Sequence, residues 1–363
     1  MMTRYFKYFL VLLTGAVTFF ILMETILRML PVNTGLQMHA TNSDYPFMHA
    51  YPNQKYTYSY GWAFSNTQHG ETNNLGLPNS GNWNTNKPAV LVVGDSYIES
   101  LMNEYADTLQ GKLGQAFTNT QVLSMAHSGA NAADYLQMMA FAKKQLTLHA
   151  LVFRIDSKDF LESIPGNAGS KEPGHSWFDG FDEKIRINLQ PYVPSKLKEL
   201  LRYSVLVCYL QKNLKFNPLQ GIKDELNNDG KTMAMGKNNI QTASVAELRP
   251  VINFFLEQLP LRSGVPLKAT VFVVDCNRKN IYSQWLIPVT VNDDNKDDIL
   301  NYFSINAKAK GAVVVDMCPA MEEYVRQTRQ RLDFTPMDYH WNPIGHDLAK
   351  NSVIPQLERI LRE

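Results

Sequence analysis

Hydrophobic positions follow two different rhythms along the chain. From Tyr8 to Met23 they run without a charge. A run apolar on every side predicts a helix that is buried all round or lies in lipid. Sixteen helical residues rise roughly 24 Å, slightly short of a ~30 Å hydrocarbon core. Lys7 can snorkel, and Ile26 and Leu27 extend the apolar face past Glu24, so a membrane span is feasible. From Ala89 the rhythm changes. Short apolar runs at 89–93, 121–125, 149–156, 268–276 and 311–317 alternate with helical spacing at 97–117, 131–146, 245–259, 296–310, 318–332 and 345–361. Strands that read as continuous apolar runs between helices belong to a parallel sheet covered on both faces. The expected fold is α/β: a three-layer α/β/α domain around a parallel sheet of about five strands, preceded by a transmembrane helix.

Two segments interrupt this pattern. Residues 31–88 are rich in Asn, Thr, Tyr and Gly and read as a stalk followed by irregular strands and loops. Within them "YPNQKYTYSYGWAFSN" alternates in part and offers edge strands. Residues 160–243 are too long for a plain crossover and are expected to form an insertion or cap beside the site. They hold "SKLKELLRYSVLVCYLQKNL", expected as a helix packed on the core, and the polar loop "NNDGKTMAMGKNNIQT". The expected organisation is an anchor at 1–30, the stalk segment at 31–88 and the α/β domain at 89–363.

The chain has 363 residues, 45% hydrophobic and 19% charged, enough for one large domain or two small ones. Its formal net charge of +1 provides no field for nucleic acid, and basic residues are not interleaved with aromatics in one patch. Arg4 and Lys7 precede the apolar run, and few basic residues follow it closely. This places the N-terminus in the cytoplasm and the rest outside a bacterial inner membrane, in the periplasm or at the cell exterior. A cleaved signal peptide is the competing reading, with Thr14-Gly15-Ala16 as a small-residue site, although apolar sequence continues beyond it. The cysteines, Cys208, Cys276 and Cys318, show neither CxxC nor metal-site spacing, and no disulfide framework follows from them. Cys276 and Cys318, each beside a strand pattern, are expected as small buried apolar residues.

Candidate chemistry sits at the two ends of the α/β pattern. "AVLVVGDSYIESL", 89–101, runs a strand straight into Gly-Asp-Ser. Gly94 and Asp95 suit a turn, and Ser96 suits a helix N-cap. Alternatively, Ser96 is a nucleophile at the carboxyl end of a strand, where open α/β sheets place their ligands. Near the C-terminus, "TPMDYHWNPIGHDLAK" holds Asp338 and His340. Asp-x-His in an extended segment puts both side chains on one side of the backbone. The carboxylate can fix the imidazole tautomer, and the imidazole can take a serine proton. Asn342 and Pro343 read as a helix start, and His346 as a structural residue. No GxGxxG follows a strand, and no P-loop, HExxH or Gly-x-Ser-x-Gly elbow occurs.

"VVGDS" at 92–96 and "DYHWNPIGH" at 338–346 resemble the first and last blocks of the SGNH (GDSL-type) hydrolase superfamily, and "VLSMAHSGAN" resembles its second. The resemblance spans about 89–363 and implies a flavodoxin-like sheet, with neither cofactor nor metal. It implies Ser96 as nucleophile, His340 as base, Asp338 as its orienter, and the Ser96 and Gly129 backbone N–H groups as oxyanion donors. Two departures stand out. Where the family's third block has an oxyanion Asn, "RIDSKDF" has Lys158; its ammonium, or the Asn131 amide, is the candidate substitute. The Asp-x-His-Trp spacing is similar to the branch containing alginate O-acetyltransferases of the AlgX and AlgJ type. That branch implies an exported or anchored enzyme acting on carbohydrate or another acylated substrate. Its implied partners are the membrane and a membrane-bound acyltransferase or polysaccharide-export machinery.

Asp275 and Arg278 in "VDCNRKNIY" read either as substrate contacts or as a structural ion pair, and Trp341 as a sugar-stacking surface or core. The expected function is a membrane-anchored serine esterase or O-acyltransferase acting on acyl, chiefly O-acetyl, esters of envelope or exported polysaccharide. The alternatives are a non-catalytic scaffold or polysaccharide-binding subunit, which the Lys158 departure favours, and a lipid esterase or thioesterase.

Overall fold

A computed structural model describes residues 2–165, 171–180, 184–216, 243–286 and 296–362; the expected polar loop at 227–242 lies outside them. The chain divides into two compact units. One comprises Met1–Gln37, Lys55–His69 and Pro194–Ala234, and the other Met38–Gln54, Gly70–Val193 and Met235–Glu363.

The strands of the described residues are, in chain order, β1 (Lys55–Tyr60), β2 (Ser65–Glu71), β3 (Ala89–Gly94), β4 (Gln121–Ala126), β5 (Leu148–Ile155), β6 (Ser176–Asp179), β7 (Arg186–Leu189), β8 (Thr270–Val274), β9 (Val313–Asp316), β10 (Asp333–Phe334) and β11 (Asp338–Trp341). The second unit is built on strands β3, β4, β5, β8 and β9. They form one five-stranded sheet in the order β4-β3-β5-β8-β9, every pair parallel. Counted within the sheet this order is 2-1-3-4-5, the doubly wound arrangement whose switch point lies between the first and third strands. Every residue of β3 is buried. Alternate side chains feed two separate cores, as a two-residue period demands. Leu91 and Val93 pack with residues of helices Ala132–Gln145 and Val245–Ser263. Val90 and Val92 pack with residues of helices Leu109–Ala116 and Pro343–Arg362. Burying a Val or Leu side chain contributes about 1.5–3 kcal/mol, so the sheet is a stiff platform for whatever its carboxyl edge carries.

Four local expectations are corrected. The helix expected over 97–117 is broken into Ser96–Glu99 and Leu109–Ala116. Ser100 adopts a left-handed φ of 50°, and the Asn79 amide donates to the carbonyls of Glu99 (2.9 Å) and Ser100 (2.7 Å), so the first helix stops after one turn. Strands β1 (Lys55–Tyr60) and β2 (Ser65–Glu71) pair with each other in a sheet of their own and are not edges of the central sheet. Segment 195–214 is not one helix on the core. It forms Lys196–Leu201 and Val205–Cys208 in the first unit, where Cys208 clusters with Leu27 and Val32. The break has a cause: Glu24 accepts bonds from the Ser204 hydroxyl (2.9 Å) and from the amides of Val205 (3.0 Å) and Leu206 (3.0 Å), seating a new helix start on its carboxylate. Finally, Cys276 and Cys318 are not separate apolar residues but a disulfide, with Cα atoms 4.9 Å apart. Val274 and Asp316 are register partners at the carboxyl ends of neighbouring strands, so the cysteines two residues beyond each meet. Cys208 is a free, buried thiol.

The N-terminal helix runs Met2–Leu27. Its Arg4–Leu27 portion, 24 residues, is long and apolar enough to cross a membrane; a signal sequence has the same character.

Candidate active site

The site begins where β3 ends. Asp95 caps helix Ser96–Glu99, its carboxylate accepting from the Tyr97 amide at 3.0 Å. The chain turns back over the strand here: a Cβ at Gly94 would lie 2.5 Å from Ile98 Cγ1, so only glycine fits. Ser96 is thereby held at the carboxyl edge of the sheet. Some 240 residues later, β11 (Asp338–Trp341) crosses the same edge. Its alternation puts Asp338 and His340 on one side. His340 Nε2 lies 2.6 Å from Ser96 Oγ, and Asp338 Oδ1 meets His340 Nδ1 while also accepting the His340 amide at 3.0 Å. A carboxylate on Nδ1 holds the proton there and leaves Nε2 as the acceptor facing the hydroxyl. The His340 and Asp338 side chains keep 24% and 16% of their accessibility, so the pair is reachable from outside.

A buried charge network fixes the approach of β11. Arg154, near the end of β5, is 1% exposed. It donates to Asp95 (3.3 Å), Asp156 (3.1 Å) and Asp275 (2.6 Å), and its guanidinium lies 3.9 Å from the centre of the Tyr97 ring. Arg278 donates twice to Asp275 at 2.9 Å, and also to the Tyr97 hydroxyl and the Tyr339 carbonyl, both at 2.7 Å. Trp341 donates its indole N–H to Asp275 at 3.2 Å. Burial alone would raise the carboxyl of Asp275, but Arg278 and Arg154 outweigh it and hold it below its usual value. Of the two readings the sequence left for each, Asp275 and Arg278 form the structural ion pair and Trp341 lies in the core, not the substrate contacts that were the other reading. Trp341 is wholly buried and cannot stack on a sugar, and the guanidinium and carboxylate are spent on each other. Together they hold the strand that carries His340. The Tyr97 ring, 4.7 Å from the His340 ring, completes the support.

The second turn follows β4, whose Ala126 is the register partner of Gly94. Gly129 has φ +77°, and a Cβ there would lie 3.2 Å from His175 Cε1, so both backbone and space call for glycine. Among the described residues, neither the Ser96 nor the Gly129 N–H has a hydrogen-bond partner. The two candidates for a third oxyanion donor are placed differently. Asn131 is wholly buried as the cap of helix Ala132–Gln145: its Oδ1 accepts the amides of Ala133 and Asp134, and its Nδ2 donates to the Ser176 carbonyl. Lys158 is exposed on the short helix Ser157–Leu161 that follows β5. His346 is structural, as expected: its Nδ1 accepts the Leu109 amide and its Nε2 faces Ser100 Oγ, both at 3.1 Å.

Besides Arg154, two features escaped the sequence reading. Glu99, 5% exposed, accepts the Ser128 hydroxyl and so ties the Gly129 turn to the Ser96 helix. Burial pushes its carboxyl up to about 7, against the Ser128 bond and neighbouring His340, which pull it down. Its helical spacing from Ser96 was the available signal. One group among the described residues also has metal-ligand chemistry: His127, Asp134 and His175. These residues come from three separate elements, so no spacing rule could find them.

No family model matches the chain, and no curated protein matches it. Among solved structures it is similar to a member of the lipolytic protein G-D-S-L family from Veillonella parvula, at 9% identity and TM-score 0.40 over 75% of this chain and 99% of that one. It is similar to TesA at 10% identity and TM-score 0.39, over 75% and 99% of the two chains. It is also similar to LAE5, an alpha/beta hydrolase from the metagenome of Lake Arreo, Spain, at 12% identity and TM-score 0.39 over 77% and 98%.

Proposed function

We propose that the chain is a serine-dependent ester hydrolase or O-acyltransferase of SGNH type, anchored in a membrane and acting outside the cytoplasm on O-acyl groups of polysaccharide. The observation that carries the reading is the 2.6 Å contact between Ser96 Oγ and His340 Nε2, with Asp338 on the far side of the ring. Ser96 Oγ attacks the ester carbonyl carbon while His340 takes its proton. The negative oxygen of the tetrahedral intermediate receives the Ser96 and Gly129 N–H groups, each donor worth about 10²–10³ in rate. Collapse expels the alcohol, which takes the proton back from His340. The acyl group on Ser96 then passes to water or to a sugar hydroxyl through the same residues. Asp338 stabilises the imidazolium in both halves.

The extracytoplasmic placement draws on the apolar Arg4–Leu27 helix and on the Cys276–Cys318 disulfide, which suits an oxidising compartment. The polysaccharide substrate draws on the Asp-x-His-Trp spacing. The test uses full-length protein with nitrophenyl esters of increasing chain length, with and without a polysaccharide acceptor. Release from the acetyl ester, with acetyl appearing on the acceptor, supports the transferase. Release to water alone supports the esterase, and a preference for long chains replaces the substrate class with lipid. Absence of turnover in every arm leaves a binding subunit and refutes the enzyme.

A further inference from the structure

Behind the Gly129 turn lies a second constellation that the proposed chemistry does not use. His127 follows β4, Asp134 stands in the first turn of helix Ala132–Gln145, and His175 precedes β6 (Ser176–Asp179). All three are buried, and one potential ligand atom from each lies within 4.8 Å of the others. The His127 ring is 2% exposed, with Nδ1 3.2 Å from the Ser128 carbonyl. A carbonyl can only accept, so Nδ1 carries the hydrogen and Nε2 is a bare lone pair. Among the described residues, that Nε2 is buried and has no hydrogen-bond partner. A buried acceptor left unmatched costs about 1–3 kcal/mol, and native proteins rarely leave one without a reason.

The carboxylate opposite it is held for ligation. Asp134 Oδ1 accepts the Ser176 amide at 2.7 Å, and Oδ2 accepts the Asn131 amide at 3.3 Å while facing His175 Nδ1 at 3.1 Å. That last distance suits a direct hydrogen bond and equally suits two ligands sharing one small cation about 2.0–2.2 Å from each. Backbone amides that orient a carboxylate are the outer-shell support metal sites need.

We propose that His127, Asp134 and His175 bind one divalent transition-metal ion of the zinc type. Two imidazoles and a carboxylate form the three-ligand set that leaves a fourth position open on zinc. The ion clamps the segment before β6 to the Ser128–Gly129 turn, against which the His175 ring already lies. A plain Asp134–His175 hydrogen bond uses two of the three groups and leaves His127 Nε2 unmatched; the ion satisfies all three.

The test is metal binding by full-length protein stripped with chelator, with Zn²⁺ followed by calorimetry and Co²⁺ by visible absorption. The expected result is one ion per chain and cobalt bands of a low-coordinate nitrogen–oxygen site. His127→Ala and, separately, His175→Ala should weaken binding by about 100-fold or more, since even outer-shell losses cost 10–100-fold. Unfolding of each variant in chelator checks that it remains folded. Cys208→Ser, outside the set, should bind as the parent does. Substoichiometric binding by the parent, or unchanged affinity in folded His127→Ala and His175→Ala, overturns the proposal.

Discussion

Replacing Arg154 by Met retains much of the side-chain volume and deletes a charge that three carboxylates share. At an effective dielectric of 20, a guanidinium about 4 Å from a carboxylate attracts it by about 4 kcal/mol. Removing the guanidinium from water offsets much of that sum. The loss on breaking such a buried network, which strands the remaining charges, is about 3–5 kcal/mol. At about 2–4 °C per kcal/mol for a domain of 150–250 residues, Tm should fall by on the order of 10 °C. The origin of the loss has a pH signature. Burial would raise the carboxyls of Asp156 and Asp275, but cationic neighbours, Arg154 among them, hold both below the usual value of 3.8. Groups lowered on folding contribute stability that is present above the unfolded value and lost as pH falls through the folded one. In Arg154→Met the stranded carboxyls shift upward, and protonating them relieves the penalty. The deficit should therefore be largest near pH 7 and shrink toward pH 4. Chemical unfolding of parent and variant at both pH values measures it, with the Trp341 indole on Asp275 as an intrinsic fluorophore within the network. A deficit under about 1 kcal/mol at pH 7, or one equal at the two pH values, would refute the reasoning.

His346 is neutral and buried, with burial pushing it down to about 3 from 6.5. Its folded value lies below its unfolded one, so stability should fall as pH drops from 6.5 toward 3, and His346→Gln should remove on the order of 4 kcal/mol of that slope; an unchanged slope in unfolding experiments counts against it. Glu99 is shifted the other way, from 4.5 up to about 7. The parent therefore loses stability as pH rises from 4.5 through 7, and Glu99→Gln should gain on the parent by on the order of 3 kcal/mol between pH 4.5 and pH 8; a constant difference across that range contradicts it. The disulfide closes 42 residues, so the Cys276→Ser/Cys318→Ser pair should cost about 4 kcal/mol on the chain-entropy model. Reductant should destabilise the parent and leave the double variant unmoved.

The sheet was legible because its strands are buried on both faces. A continuous apolar run such as Ala89–Val93 needs no tertiary knowledge to read, and the Asp338–His340 spacing is a local consequence of strand alternation. What failed depends on contacts between distant segments. Helical spacing over 97–117 is real, yet an amide 17 residues upstream of Ser96's helix, on Asn79, caps its carbonyls and ends it. Arg154 was passed over inside an apolar strand, although a charge at a buried strand's end demands partners. Asp275, Arg278 and Trp341 were located at the correct edge with their tasks left open between substrate and structure, because sequence shows which groups converge and not which satisfy one another. The disulfide became predictable only once β8 and β9 were known to be neighbours.

The central claim is that Ser96 is a nucleophile activated by His340. Treatment with a fluorophosphonate probe, followed by intact-mass and peptide mapping, tests it most directly. The account predicts one adduct on Ser96, no adduct in Ser96→Ala, and labelling slowed by about 10²–10⁴ in His340→Ala. No adduct on the folded parent, or equal labelling of Ser96→Ala, would contradict it.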